Sequence, residues 1–145
     1  MRIAIGSDHA GFSARQTVRA HLQSAGHELI DVGTHDESSV DYPDFAKAVG
    51  EAVRDGVAEM GVLFCGTGIG VCIAANKVHG IRAAQVSSVE MAQLARQHNN
   101  ANVVCAGARL HSTDELIAMV DAFLATSFEG GRHAGRVAKI MALES

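Results

Sequence analysis

The sequence predicts an α/β fold in which a parallel sheet lies between two layers of helices. Three observations carry this. Short apolar runs alternate with stretches of helical periodicity five times along the chain. One run, residues 61–65 (GVLFC), is continuously apolar, as expected of a strand buried on both faces. That run leads through a glycine-rich turn, residues 66–70, into a small-residue helical stretch.

Each element follows from local pattern. Residues 2–7 (RIAIGS) form a short apolar strand. Ala14, Val18, Leu22 and Ala25 have the spacing of one helix face, and Gly26 stands where a C-terminal cap glycine belongs. Residues 27–32 (HELIDV) alternate as a second strand, and 33–41 are polar loop. Pro43, the only proline, suits the first turn of a helix that carries Phe45, Val49 and Val53 and stops at Asp55-Gly56. The third strand, the glycine turn and a helix over 71–77 follow. Residues 81–86 read as strand four. Ser87-Ser88-Val89-Glu90 reads as a capping box opening a helix that reaches His98. Residues 103–106 are strand five. Ser112-Thr113-Asp114-Glu115 is a second capping box, with Leu116, Val120 and Phe123 on one face of its helix. After a glycine-containing loop over 128–133 comes a last helix, about 132–144, bearing Val137, Ile140 and Met141. Its apolar face would suit either its own domain or a partner subunit. Together these make a three-layer, doubly wound (Rossmann-like) sandwich with right-handed crossovers. The expected strand order for five strands is 2-1-3-4-5.

Composition narrows the function. A length of 145 residues predicts one domain over 1–145. Size scaling gives a folded surface of roughly 7,000 Å², enough to bury about 68% of the unfolded chain's surface without disulfides or metal. Apolar residues at 48% exclude disorder. Aromatics at 4%, no Trp and a net charge of −4 argue against nucleic-acid binding. No run approaches a membrane span, and residues 1–6 lack a signal-peptide pattern. Cys65, Cys72 and Cys105 form no CxxC, and no histidine pair has metal-ligand spacing. The expectation is a cytoplasmic protein without metal or other cofactor.

In an open parallel sheet with that strand order, ligands bind beyond the carboxyl ends of strands one and three. The segments there are Ser7-Asp8-His9-Ala10-Gly11 and Cys65-Gly66-Thr67-Gly68-Ile69-Gly70. Glycines at 66, 68 and 70 allow close backbone approach, and successive N–H groups form an anion nest; they equally serve a plain tight turn. The pattern is neither a dinucleotide fingerprint nor a P-loop. Cys65 immediately precedes the nest, and helix N-termini favour thiolates; most free cysteines are simply small and buried, as Cys72 and Cys105 are read here. Asp8 is an N-cap or a site carboxylate, and His9 a loop histidine or an anion ligand. His98-Asn99-Asn100 closes a helix. Arg132 and Arg136 share a helix face and, with His133, make a cationic patch that suits a phosphate or merely water. Arg109 follows strand five near the same edge. Tyr42, the only tyrosine, reads first as a core or hinge residue.

Taken together, these segments resemble the ribose-5-phosphate isomerase B type, grouped with galactose-6-phosphate and allose-6-phosphate isomerases. The resemblance rests on Gly6-Ser7-Asp8-His9-Ala10-Gly11-Phe12, Asp41-Tyr42-Pro43, the 65–70 turn with Ala74-Ala75-Asn76-Lys77, Gly80-Ile81-Arg82-Ala83, Arg96-Gln97-His98-Asn99, Gly107-Ala108-Arg109 and Phe128-Glu129-Gly130-Gly131-Arg132-His133. It covers nearly the whole chain in order. It implies a metal-free interconversion of a phosphorylated aldose and its 2-ketose through a cis-enediolate. In that reading Cys65 is the base moving a proton between C2 and C1. His98, with Thr67, opens the sugar ring, and Asp8 orients hydroxyls. The amides of Gly66, Thr67, Gly68, Ile69 and Gly70, with Asn99, hold the oxyanion. His9, Arg109, Arg132 and Arg136 hold the phosphate, and Tyr42 joins the substrate contacts. His98, Asn99, Arg132 and Arg136 come from a neighbouring subunit, which makes a homodimer, or a dimer of dimers, necessary. Some members place a glutamate base where this chain has Val71, which has no such chemistry. The alternatives are a hexose-6-phosphate isomerase, or a non-catalytic sugar-phosphate sensor on the same fold.

Overall fold

The computed structural model describes residues 1–144. Its strands are β1 (Arg2–Ser7), β2 (Glu28–Asp31), β3 (Met60–Cys65), β4 (Ala83–Gln85) and β5 (Val103–Gly107). Its helices are α1 (Phe12–Ser24, entered through a 3-10 turn at His9–Gly11), α2 (Tyr42–Arg54), α3 (Ile69–Ala75), α4 (Val89–Asn99), α5 (Thr113–Ala125) and α6 (Arg132–Ala142). All strand pairings are parallel. Side chains alternate between the two faces of the sheet, as a two-residue period requires. Ile3, Ile5, Val62, Phe64 and Val104 pack with α1, α4 and α5, while Ala4, Leu63, Cys65, Val103 and Cys105 pack with α2 and α3. The accessible surface is 6911 Å², close to the scaling expectation. Among the described residues no helix is long and apolar enough to cross a membrane.

The strand order is 2-1-3-5-4, which corrects the expected 2-1-3-4-5. The reason is burial. All five residues of β5 are buried, so it needs neighbours on both sides and lies between β3 and β4. Strand β4 has only three residues, all half-buried, which suits an edge. The expected strand over 81–86 is thus cut to Ala83–Gln85, although Ile81 and Val86 remain buried beside it.

Local signals behave as their chemistry dictates. Gly26 has φ +94° after α1, and Pro43 lies in the first turn of α2. Ser112 and Glu115 form the reciprocal capping box of α5. The other expected box does not form. Ser88, not Ser87, caps α4, accepting from the Met91 N–H at 3.0 Å, which moves the cap one residue on and leaves Glu90 in the first turn.

Two buried polar groupings stand out. Arg15, 2% exposed, reaches from α1 to the carboxyl ends of the first two strands. Its Nε donates to Ser7 Oγ at 3.0 Å, and its other nitrogens donate to Asp31 and to the Thr34 carbonyl. Asp31 also pairs with Arg19 at 3.1 Å and accepts from the Gly33 N–H. Beneath α3, the thiol of half-buried Cys72 donates to the Ala83 carbonyl at 3.4 Å and neighbours fully buried Cys105. The interaction with Cys105 holds the Cys72 thiol down to about 7, whereas burial pushes Cys105 well up.

Substituting Arg15→Leu strips the half-buried Asp31 carboxylate of its main partner, and Arg19 compensates only in part. Urea unfolding is expected to show a loss of roughly 3 kcal/mol. For the thiol pair, iodoacetamide labelling followed by peptide mass spectrometry should show Cys72 reacting with a midpoint near pH 7, since only the thiolate attacks. Cys105 should stay unlabelled while the chain is folded.

Candidate active site

An open cleft of about 450 Å³ lies over the carboxyl ends of β1, β3 and β5. Asp8, Tyr42, Cys65, Gly66, Thr67, Ile69, Gly70, Ile73 and Arg109 line it. The segments after β1, β2, β3 and β5 meet here because a parallel sheet directs every strand's carboxyl end to one edge, and β1 and β3 are the strands from which the chain winds in opposite directions. Ser7 pairs with Phe64 and Cys65 with Gly107, so the three strand ends are in register.

Cys65 is 5% exposed at the floor of the cleft. The Gly68 N–H donates to its Sγ at 3.2 Å. That N–H is aimed at the sulfur because Gly68 adopts φ +79°, turning the chain into α3. The neighbouring Ile69 N–H donates to Thr67 Oγ1 at 3.2 Å. Two amides of the 66–70 turn are therefore engaged by the turn's own acceptors. Arg109 lies along Gly66, and its backbone N–H donates to the Gly66 carbonyl at 3.1 Å. The Tyr42 ring covers Gly70 so closely that a Cβ there would lie 2.5 Å from it. Tyr42 opens α2 and is 40% exposed, so it is a cleft wall rather than a core residue.

Asp8 does what its position predicts for a cap: Oδ1 accepts from the Gly11 N–H at 3.2 Å. It is also 6% exposed and borders the cleft. His9 Nδ1 accepts from the Val40 N–H at 3.2 Å, which leaves Nε2 carrying the ring proton. Ile73, which no sequence pattern singled out, is 59% exposed at the cleft margin. Only its unusual exposure for an apolar residue marks it, and exposure is a tertiary property.

His98, Asn99, Arg132 and Arg136 are not in this cleft. Helix α4 runs against the strand direction, so its last turn ends beside the amino ends of the strands. Thus Arg82, just before β4, donates to the Asn99 carbonyl at 3.2 Å, and Asn102, just before β5, accepts from the Gly61 N–H at 2.9 Å. The length of β3 then separates His98 from Cys65 by roughly 15–20 Å. Arg132 and Arg136 are exposed on α6, which packs on α4 through His133 and Val137. His133 does not join them as a surface cation. It is 7% exposed, and its ring stacks on His98 with centroids 4.3 Å apart. Desolvation, then the charges of His98 and Arg132, hold its pKa below the ordinary imidazole value.

The Ribose/Galactose Isomerase family profile matches residues 3–140. Ribose-5-phosphate isomerase B of Escherichia coli K12 is 46% identical over 143 residues, spanning 99% of this chain and 96% of that protein. The structure of Clostridium thermocellum ribose-5-phosphate isomerase B superposes with a TM-score of 0.98 at 48% identity, covering 99% of this chain and 97% of the other. Ribose-5-phosphate isomerase B from Mycoplasma genitalium, solved with bound ribulose 5-phosphate, superposes with a TM-score of 0.94 at 45% identity, covering 99% and 95%. With a matched profile over nearly its whole length and relatives of this identity, the chain belongs to the ribose/galactose isomerase family.

Proposed function

We propose that this chain is a single-domain aldose–ketose isomerase that interconverts ribose 5-phosphate and ribulose 5-phosphate through a cis-enediolate. One observation carries the reading: a lone thiol at the floor of the strand-end cleft, with a backbone N–H directed at its sulfur. That is the placement a thiolate base needs. The 46% identity to a ribose-5-phosphate isomerase B supports the substrate class.

In this mechanism Cys65 removes the C2 proton of the open-chain aldose and returns it to C1. Electron density moves onto the carbonyl oxygen as the proton leaves. The free amides of the 66–70 turn and Asn99 stabilise that oxyanion, while the Gly68 N–H holds the sulfur. His98, aided by Thr67, transfers the proton that opens the sugar ring. Asp8 orients the hydroxyls, and Tyr42 and Ile69 bound the carbon chain. Arg109, Arg132 and Arg136 neutralise the phosphate and His9 donates to it through Nε2, so binding energy far from C2 positions the reacting carbon.

This set requires two copies of the chain. One supplies Cys65 and the nest, and the other supplies His98, Asn99, Arg132 and Arg136 from the opposite edge of its sheet. Support comes from the separation of roughly one strand length between the two groups. It comes also from α6, which leaves Ile140 42% and Leu143 84% exposed for a homodimer to cover. Three free thiols suit the reducing cytoplasm.

Proton NMR of ribose 5-phosphate in D₂O tests the chemistry. The wild-type chain should form ribulose 5-phosphate with loss of the C2 proton. Cys65→Ala should lower the rate by at least about 10²–10⁴-fold, the range for a lost general base; retained turnover would remove the thiol from the reaction. Subunit mixing tests the shared site. Cys65→Ala and His98→Asn, each inactive alone, should regain about a quarter of wild-type activity when unfolded and refolded together, because half the dimers are mixed and each mixed dimer has one intact site of two. No recovery would argue that each site is built from one chain.

A further inference from the structure

His98, Glu129 and His133 meet where the last turn of α4 faces the start of α6. Their ligand atoms all lie within 4.8 Å of one another. The Nε2 atoms of both imidazoles lie near the same carboxylate oxygen, Glu129 Oε1, 3.9 Å away for His98 and 3.6 Å for His133. Backbone bonds hold the set: the Glu129 N–H donates to the Gln97 carbonyl at 3.1 Å, and the His133 N–H to the Gly130 carbonyl at 3.0 Å. The isomerase reading assigns nothing to Glu129 or His133.

We propose that His98, Glu129 and His133 form an inhibitory site for a zinc-class divalent cation. Two imidazoles and one carboxylate are a zinc ligand set with a fourth position left to solvent. Nitrogen donors disfavour magnesium and calcium. Ligand atoms around tetrahedral zinc stand roughly 3.3–3.5 Å apart. The two pairs involving Glu129 therefore close by only a few tenths of an ångström, with the stacked rings tilting to converge. Glu129 has the freedom to do this, its side chain being 52% exposed. Arg132 and Arg136 oppose the cation. They make the site weaker than a structural zinc centre, as a reversible inhibitory site must be.

The inhibitory part rests on the proposed role of His98. An imidazole whose Nε2 lone pair is held by zinc has no lone pair there to take up and pass on a proton during ring opening. No step of the proposed mechanism uses a metal, so chelator alone should leave the rate unchanged and added zinc should lower it.

Calorimetric titration of the whole chain with Zn²⁺ should give one site per chain. Glu129→Gln, a near-isosteric change at a half-exposed residue, should weaken it by more than about tenfold, since even outer-shell partners carry roughly 10–100-fold. Co²⁺ should give ligand-field bands that disappear in Glu129→Gln, without a thiolate charge-transfer band. Zinc should inhibit with the same midpoint as it binds, and chelator should restore turnover. No binding, equal binding by Glu129→Gln, or a thiolate band would each overturn the site. Saturation with unchanged turnover would overturn the inhibition, and with it the role of His98, while leaving the ligand set in place. The binding arm decides the site even where the isomerase reading fails.

Discussion

Backbone meets backbone where the turn after β3 crosses the end of β5. A Cβ on Gly68 would stand 2.7 Å from the Ala106 carbonyl carbon, and one on Gly107 would stand 2.8 Å from that of Thr67. No side chain fits between the two strands of chain, so the turn is clamped onto the sheet edge. Gly68 also needs its left-handed conformation to enter α3. This clamp fixes where the Gly68 N–H points, and hence the contact to Cys65 Sγ. The nest, the thiol and Arg109 inherit their positions from it.

Around that clamp the carboxyl edge is held by a buried charge. Arg15 links Ser7, Asp31 and Thr34, tying α1 to the ends of β1 and β2 and to the loop beyond. Burying a guanidinium is costly unless its donors find partners. Here Asp31, Ser7 and a carbonyl supply them, and desolvation still lowers the pKa of Arg15. The segment leaving this cluster is Asp8-His9, which borders the cleft. Stability and site geometry thus share the same few contacts.

The parallel sheet also imposes a division. Each helix that links parallel strands runs back, so residues closing a helix lie at the edge opposite to residues closing a strand. Cys65 closes β3 and His98 nearly closes α4. The proposed reaction uses both and draws them from different chains. The amino-edge group is not passive in isolation: His98 stacks on His133, and both face Glu129. The proposed active-site acid and the proposed cation ligand are therefore one imidazole, and its two uses exclude each other.

The sequence alone determined what local chemistry decides. Apolar runs, helix-face spacing, Gly26, Pro43 and the Ser112–Glu115 box placed the elements, because caps and periodicity act over a few residues. The glycine turn after Cys65 was legible for the same reason, as were Asp8 and Arg109 at strand ends. Tertiary structure decided the rest. The order of β4 and β5 depends on which strand is buried on both sides, a property of the assembled sheet. The cap of α4 fell on Ser88 rather than on Ser87, where the capping-box pattern had placed it. Arg15 carries no local signal in the sequence, and Ser7, Asp31 and Thr34 close around it only in the fold. His98 and His133 are far apart in sequence, with no metal-ligand spacing, yet their rings stack because α6 folds back onto α4. Sequence spacing encodes neighbours within an element; contacts between elements depend on packing, which only the folded chain supplies.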